Sequence, residues 1–434
     1  MIDIELVRTN PELVKKNTAS RNYDPALVEA FLKLDGEWRA LTTQSETLRA
    51  EQKKLGAERK IEEAKKLKIE IEALAETLAK LDADRIAIAK KLPNISRDWV
   101  PAGKSDADNK VSKRVPEVIP AKDFPAKDYF EVATRLGIID TERAGKVSGS
   151  RFGYLLGGAA MLEFAMTQFA MHTVTNVEKL REIAAGAGID LKKIGEHPFI
   201  PVIPPVMIKH AMMEGMGYVE RGGEEIYNLK EDGLYLVGTS EQSVGTMHAD
   251  ETLPLEQLPR RYIAFSTCFR REAGSYGKDT KGVLRVHQFD KSEMFSLTTP
   301  DRSDEEHRFF RAIEEYLMQQ LEIPYHVLDV CSADLGDPAA AKWDIEAWFP
   351  AENEGKGCYR ETHSTSNTTD FQSRRLGIRY RTADGKSQLV HMINGTAFSQ
   401  RPILALIENH QTKEGTVRIP KALVQYMGGI TEIR

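Results

Sequence analysis

The stretches Cys268-Phe269-Arg270-Arg271-Glu272 and Arg285-Val286-His287-Gln288-Phe289-Asp290-Lys291-Ser292-Glu293 decide the reading of this chain. Between them runs a glycine-rich connection, Ala273-Gly274-Ser275-Tyr276-Gly277-Lys278. Residues two or four apart in a strand share a face. Two strands joined by this connection therefore place Arg270, Glu272, Phe289 and Glu293 on one surface. Such a surface offers a cation to a phosphate, an aromatic ring to a purine and carboxylates to an ammonium group. That set suits the activation of an amino acid by ATP.

The 434 residues are enough for roughly two to four domains. No apolar run approaches the ~20 residues that cross a bilayer, and Met1-Ile2-Asp3-Ile4-Glu5 has no basic region followed by an apolar one. A membrane protein and a signal peptide are therefore not expected. Cys268, Cys331 and Cys358 are far apart and odd in number, which argues against a disulfide framework or a cysteine-based zinc site and fits a reducing cytoplasm. A net charge of −5 gives no global pull towards nucleic acid, so any RNA binding needs a local basic element.

Such an element lies near the N-terminus. Leu27, Phe31, Leu34, Trp38 and Leu41 alternate four and three apart, a register continued by Ser45, Leu48, Gln52 and Leu55. Leu67, Ile71, Leu74, Leu78, Leu81, Arg85, Ile88 and Leu92 repeat it. This heptad spacing predicts two helices, each ~30 residues and about 45 Å long, reversing at Gly56–Lys60 and ending at Pro93-Asn94. From Arg49 to Lys68 eight basic residues stand against four acidic ones, so the bias collects at the tip. Alone, the run reads more readily as a solvated coiled-coil surface. The alternative is an arm that follows an RNA backbone through phosphate contacts.

Pro101–Pro125 reads as a polar connector, which sets domains at 1–105 and 106–434. Beyond it, a helical pattern (Ala159–Met171) precedes Phe199–Val206, a buried strand broken by prolines. Strand-like segments follow at Leu234–Val237, Tyr262–Thr267, Val283–Phe289, Tyr325–Val330 and Leu389–Ile393, with helical patterns at His307–Leu321 and Pro402–Glu408. Strands and helices do not alternate strictly. An α+β domain is expected, a mainly antiparallel sheet with helices packed on it. No phosphate-loop or dinucleotide fingerprint occurs.

The motifs together resemble those of the class II aminoacyl-tRNA synthetases, and specifically the seryl-tRNA synthetases of bacterial type. The proline-bearing strand ending at Pro204-Pro205 resembles their motif 1, a dimer-interface element. Phe269–Glu272 with Arg285–Glu293 resembles motif 2, and Asn394-Gly395-Thr396-Ala397 followed by Arg401 resembles motif 3. Thr239-Ser240-Glu241 is similar to the loop that binds serine, and the N-terminal hairpin to the tRNA-binding arm. The resemblance implies a homodimeric, AMP-forming ligase that joins L-serine to tRNA-Ser, and to the selenocysteine tRNA, using ATP and Mg²⁺.

It also implies roles for single residues. Arg270 would grip the α-phosphate, because a guanidinium offers two donors in a fixed plane. Arg401, opening a helix after the Asn-Gly-Thr turn, would take the γ-phosphate. Phe289 would stack on adenine, with Val286, Arg271 and Glu272 on the nucleotide. In Glu361-Thr362-His363-Ser364, also assigned to ATP, Glu361 and Ser364 are the expected Mg²⁺ ligands. His363 lacks a cysteine or second histidine at ligand spacing, so zinc is not expected. Serine would meet Thr239, Ser240, Glu241, Arg270, Glu293, Asn394 and Thr396, a polar pocket that rejects alanine. Arg49, Lys53, Lys54, Arg59 and Lys60 would meet tRNA.

The chain departs from the family in four places. Threonines within Ser364–Thr368 stand where many members have cysteines, and the arm is somewhat shorter than is common. Gln242-Ser243 stands where an apolar–proline pair is usual, and about twenty residues within 173–197, helical in pattern, are additional. Two other functions fit the sequence less well. A ligase loading a carrier protein would be expected to lack the long arm. An impaired RNA-binding paralogue should have lost ATP or serine positions, yet Arg270, Phe289, Glu293 and Arg401 are present.

Overall fold

A computed structural model describes residues 1–120, 122–273 and 282–434. The connection Gly274–Lys278 lies outside the described residues. The chain divides into two compact units, Met1–Ile95 and Ser96–Arg434.

In the first unit α1 (Ala26–Ala57) and α2 (Ile61–Lys91) form the expected antiparallel hairpin. Asp35 meets Arg85 near the base and Gln52 meets Ala64 near the tip. The heptad seam faces inward, with Phe31, Ser45 and Ile71 buried. The base of the seam is polar. Asp35 is fully buried and accepts from Arg8 Nη2 at 2.8 Å and from Arg85 Nη1 at 3.1 Å. Burial alone would raise its pKa, but the hydrogen bond and charge of Arg8, with Arg85 and Arg39, lower it. At the tip the reversal uses Arg59 at φ 59°, and Lys60 N–H donates to Leu55 O. Arg49, Lys53, Lys54, Arg59 and Lys60 are all exposed.

The principal elements of the second unit are, along the chain, β1 (Lys110–Val115), α3 (Gly158–Thr175), α4 (Val177–Gly186), β2 (Ile200–Val202), α5 (Glu241–Val244), β3 (Arg260–Phe269), β4 (Gln288–Thr298), α6 (Ser303–Gln320), β5 (Tyr325–Asp329), β6 (Ala341–Phe349), β7 (Cys358–Thr369), β8 (His391–Ser399) and α7 (Arg401–Asn409). The eight strands make one sheet in the order β1-β5-β6-β7-β8-β4-β3-β2. All neighbours are antiparallel except β2 and β3. One face is covered by α3, α6 and α7, whose Leu162, Phe169, Phe310, Leu317, Leu404 and Ile407 form the main core with Ile263, Met294 and Ile393 of the sheet.

Several sequence expectations shift. Residues 96–105, expected on the N-terminal side of the boundary, belong with the sheet. Arg97 N–H donates to Ala340 O, and Trp99 stacks on Trp343 at 4.8 Å. The supposed connector contains strand β1, held by β5. The proline-broken strand is not buried in this chain. It reduces to β2 at the sheet edge, with Ile200 45% and Ile203 86% exposed, because Pro201, Pro204 and Pro205 have no N–H to donate to a second neighbour. The segment from Val283 is not strand until Gln288. The stretch within 173–197 is helical as expected, and Leu180, Ile183, Leu191 and Ile194 join the main core.

Candidate active site

The sheet face opposite α6 and α7 is the floor of a cleft of about 710 Å³. Alternation along β4 turns Phe289, Lys291 and Glu293 to this side, while Met294 enters the core. On β8, Asn394 and Thr396 face the cleft and Ile393 and Ala397 face the core. The Asn-Gly-Thr stretch is therefore strand, not the expected turn. Gly395 is required for packing: a Cβ there would lie 3.0 Å from Glu314 Oε1 and 3.0 Å from Phe310 Cδ1 on α6.

Glu361 and Ser364 are three apart, a spacing that should separate them across a strand. A bulge reconciles them. Ile345 pairs with His363 and Glu346 with Glu361, so Thr362 is the extra residue and both side chains reach the cleft. His363 is turned away from it. The ring is buried, its Nδ1 meets Thr362 Oγ1 at 2.9 Å, its Nε2 meets Ala397 O at 3.0 Å, and burial lowers its pKa to about 3. Its assignment to ATP is thus corrected.

One end of the cleft is cationic. Arg270 and Glu272 lie just past the end of β3 rather than on its face, Glu272 with φ 51°. They still reach the wall that holds Phe289, because Arg270 N–H donates to His287 O beside the start of β4. Arg270 Nε donates to Gly238 O at 3.2 Å, and the guanidinium carbon stands 5.2 Å from the Phe289 ring centre. Arg401 is the first residue of α7 and donates through Nη1 to Glu361 O at 2.9 Å. Desolvation in the cleft pulls the Glu361 pKa upward, though weakly for a side chain 47% open. Arg401, Lys342, Arg270 and Lys291 prevail and lower it to about 2. Asp344, opposite Ser364, is raised to about 6 by burial against the pull of Lys342. Val286 and Thr362 line the adjoining recess beside Phe289.

The other end is acidic. Glu293 lies opposite Thr396 in the β4–β8 register and is ion-paired with Lys291. Glu241 opens α5 and is 4% exposed. Its Oε2 accepts from Tyr218 at 2.8 Å and its Oε1 from Gln372 at 2.9 Å. Burial raises both carboxyls; Glu293 raises Glu241 further, while Lys291 and Arg270 restrain Glu293. Two buried carboxyls with raised pKa values thus line one wall of the cleft, where a cationic group would favour their ionised forms. Thr239 lines the same wall. Beneath the floor, Glu314 on α6 is fully enclosed, and burial, with Glu293 and Asp344 nearby, raises it well above the usual carboxylate range against the opposing pull of Lys291 and the Thr396 N–H.

Two further expected residues stand outside the cleft. Ser240 is buried, with Oγ donating to Ala264 O, which ties α5 to β3. Arg271 is exposed, and its backbone N–H donates to Glu225 O. In turn Arg285, Lys291 and Lys342 line the cleft and were not singled out from the sequence. Lys291 was legible, two residues from both Phe289 and Glu293. Tyr218, Gln372 and Lys342 come from distant elements with no local signal.

Residues 1–96 match the family model of the seryl-tRNA synthetase N-terminal domain, and residues 225–410 that of the class II tRNA synthetase core domain (G, H, P, S and T). The serine–tRNA ligase of Rhodococcus opacus is 43% identical over 438 residues, covering 99% of each chain. That of Acidothermus cellulolyticus is 44% identical over 439 residues, covering 99% of this chain and 98% of the relative. Among solved structures, the seryl-tRNA synthetase from Pyrococcus horikoshii complexed with ATP has a TM-score of 0.88 at 38% identity, covering 100% of this chain and 99% of that one. The cytoplasmic serine–tRNA ligase from Naegleria fowleri in complex with AMP has a TM-score of 0.85 at 30% identity, covering 100% and 98%.

Proposed function

We propose the following division of labour in the cleft, from the premise that the chain belongs to the seryl-tRNA synthetase family of class II aminoacyl-tRNA synthetases. The chain is a serine–tRNA ligase. It activates serine with ATP and passes the seryl group to tRNA. The serine carboxylate attacks the α-phosphorus, the bond to the bridging oxygen breaks, and pyrophosphate leaves with that electron pair. A ribose hydroxyl at the 3′ end of tRNA then attacks the seryl carbonyl, and AMP departs.

Arg270 holds the α-phosphate, where negative charge spreads in the transition state. Its Nη1 and Nη2 have no partner among the described residues, which supports that role. Phe289 stacks on adenine, with Val286 and Glu272 at the nucleotide edge, and Arg401 takes the γ-phosphate. Glu241 and Glu293 share the α-ammonium, and Glu293 with Thr396 reads the hydroxyl. The observation that carries the reading is the register Glu293–Thr396 at one end of a cleft whose other end holds Arg270 and Phe289. A substrate without the hydroxyl would leave those groups unpaired.

Among the described residues no cluster of three His, Cys, Asp or Glu could hold a metal. Glu361, kept ionised, and Ser364 supply two oxygen donors on one wall, which fits Mg²⁺ arriving with ATP and keeping its waters. When bound it neutralises phosphate charge. Exposed Ile200, Ile203, Met207, Met161 and Phe164 support a homodimer through the β2 edge and α3. The exposed cations of the hairpin tip support tRNA binding along the backbone. Free cysteines, and no helix long and apolar enough to cross a membrane among the described residues, support a cytoplasmic enzyme.

Arg270→Ala tests the assignment. Serine-dependent exchange of pyrophosphate into ATP should be lost while the assembly state is unchanged. Near-normal exchange would overturn the role of Arg270.

A further inference from the structure

Gln242 stands at the second position of α5, is 4% exposed and lines the cleft. None of the roles assigned above uses it. Its Oε1 accepts from Gly238 N–H at 2.8 Å. A backbone N–H can only donate, so the oxygen of the amide must face Gly238. The Gly238 carbonyl in turn accepts from Arg270 Nε at 3.2 Å. One glycine therefore carries both links, its N–H to Gln242 and its C=O to the phosphate arginine.

The surroundings explain why the link matters. A Cβ on Gly238 would stand 3.5 Å from Phe269 O and 3.7 Å from Arg270 Cγ, so this backbone lies against the root of the Arg270 side chain. On either side, Phe269 N–H donates to Val237 O and Gln242 N–H donates to Thr239 O. Val237 C=O and Gly238 N–H belong to one peptide unit, so the Phe269 and Gln242 bonds grip its opposite edges. Glycine is the residue least restrained by its own sterics, so holding the preceding peptide unit at both edges narrows where the Gly238 carbonyl, two rotatable bonds on, can point. With Nε held there, the planar guanidinium presents its remaining edge in a set direction.

We propose that Gln242 is a positioning residue for adenylation: through Gly238 it fixes the orientation of Arg270 towards the α-phosphate. The proposal rests on the reading of this cleft as the adenylation site. It gives this chain's departure from the usual apolar residue a function.

The test compares full-length Gln242→Met, near-isosteric but only a weak acceptor, and Gln242→Asn, which keeps the amide but is one methylene too short. Serine-dependent ATP–pyrophosphate exchange is measured with thermal midpoints alongside. One buried donor left unmatched should lower kcat roughly tenfold, with the serine KM within about twofold of the parent. In an Arg270→Lys background the same substitutions should cost less than about twofold more, because the arginine they orient is gone. Parent-like kcat in either folded variant, a loss carried by the serine KM, or a full additional loss in the Arg270→Lys background would overturn the proposal. Absence of serine-dependent exchange in the parent protein would instead overturn the reading of the cleft.

Discussion

Gly395→Ala adds a single methyl group at the floor of the cleft, and the structure fixes what it meets. The new Cβ would lie 3.0 Å from Glu314 Oε1, 3.0 Å from Phe310 Cδ1 and 3.0 Å from Thr365 Oγ1. Phe310 is fully buried in the main core, Thr365 belongs to β7, and Glu314 is fully enclosed. Each of these side chains is enclosed and would have to give by a few tenths of an ångström. Overpacking of this kind costs about 1–3 kcal/mol. Part of the strain should pass to Thr396, the next residue, and so to its register with Glu293. The expected result is a lower thermal midpoint together with a serine KM raised roughly tenfold, the equivalent of about 1.4 kcal/mol, and an ATP KM much less changed. Denaturant unfolding and exchange kinetics read both. A variant with parent stability and parent serine KM would refute the packing argument for this glycine. It would also refute the account of motif 3 as a strand pressed against α6.

Other outcomes follow from the same geometry. Replacing Lys53, Lys54 and Arg59 by Ala should leave exchange unchanged, raise the tRNA KM and flatten the salt dependence of tRNA binding by roughly 0.7–0.9 per lost phosphate contact. Unchanged salt dependence would count against the arm. Glu163 on α3 is raised to about 8, first by burial and then by Asp290. A raised acid stabilises fully below the unfolded pKa of about 4.3 and loses that contribution as pH rises through about 8. Glu163→Gln should therefore be more stable than the parent at pH 8, by up to about 4–5 kcal/mol, and by only about 1 kcal/mol at pH 5. Equal differences at both values would contradict this. Lys291→Met should leave Glu293 unmatched and weaken ATP use at the shared wall, seen as a kcat/KM for ATP lowered at least tenfold, about 1.4 kcal/mol.

Much of this was legible because the relevant signals are local. The heptads foretold α1 and α2, and the period-2 pattern put Phe289 and Glu293 on one face. What was misread depended on the third dimension. A glycine next to asparagine reads as a turn, and only the approach of α6 shows why a strand needs it at 395. A bulge at Thr362 cannot be seen in spacing, so Glu361 and His363 looked alike until the register separated them. Pro201, Pro204 and Pro205 were read within a buried strand although they mark a sheet edge. Partners drawn from distant elements, Tyr218 and Gln372 on Glu241, carry no sequence signature at all.

On the proposed reading, a pocket formed by Glu241, Glu293 and Thr396 presents serine to ATP held by Arg270. Pyrophosphate exchange measured with each of the twenty amino acids in turn tests it most directly. Exchange is expected with serine, and with alanine and threonine slower by orders of magnitude. Exchange driven equally well by alanine, or none with serine, would contradict it.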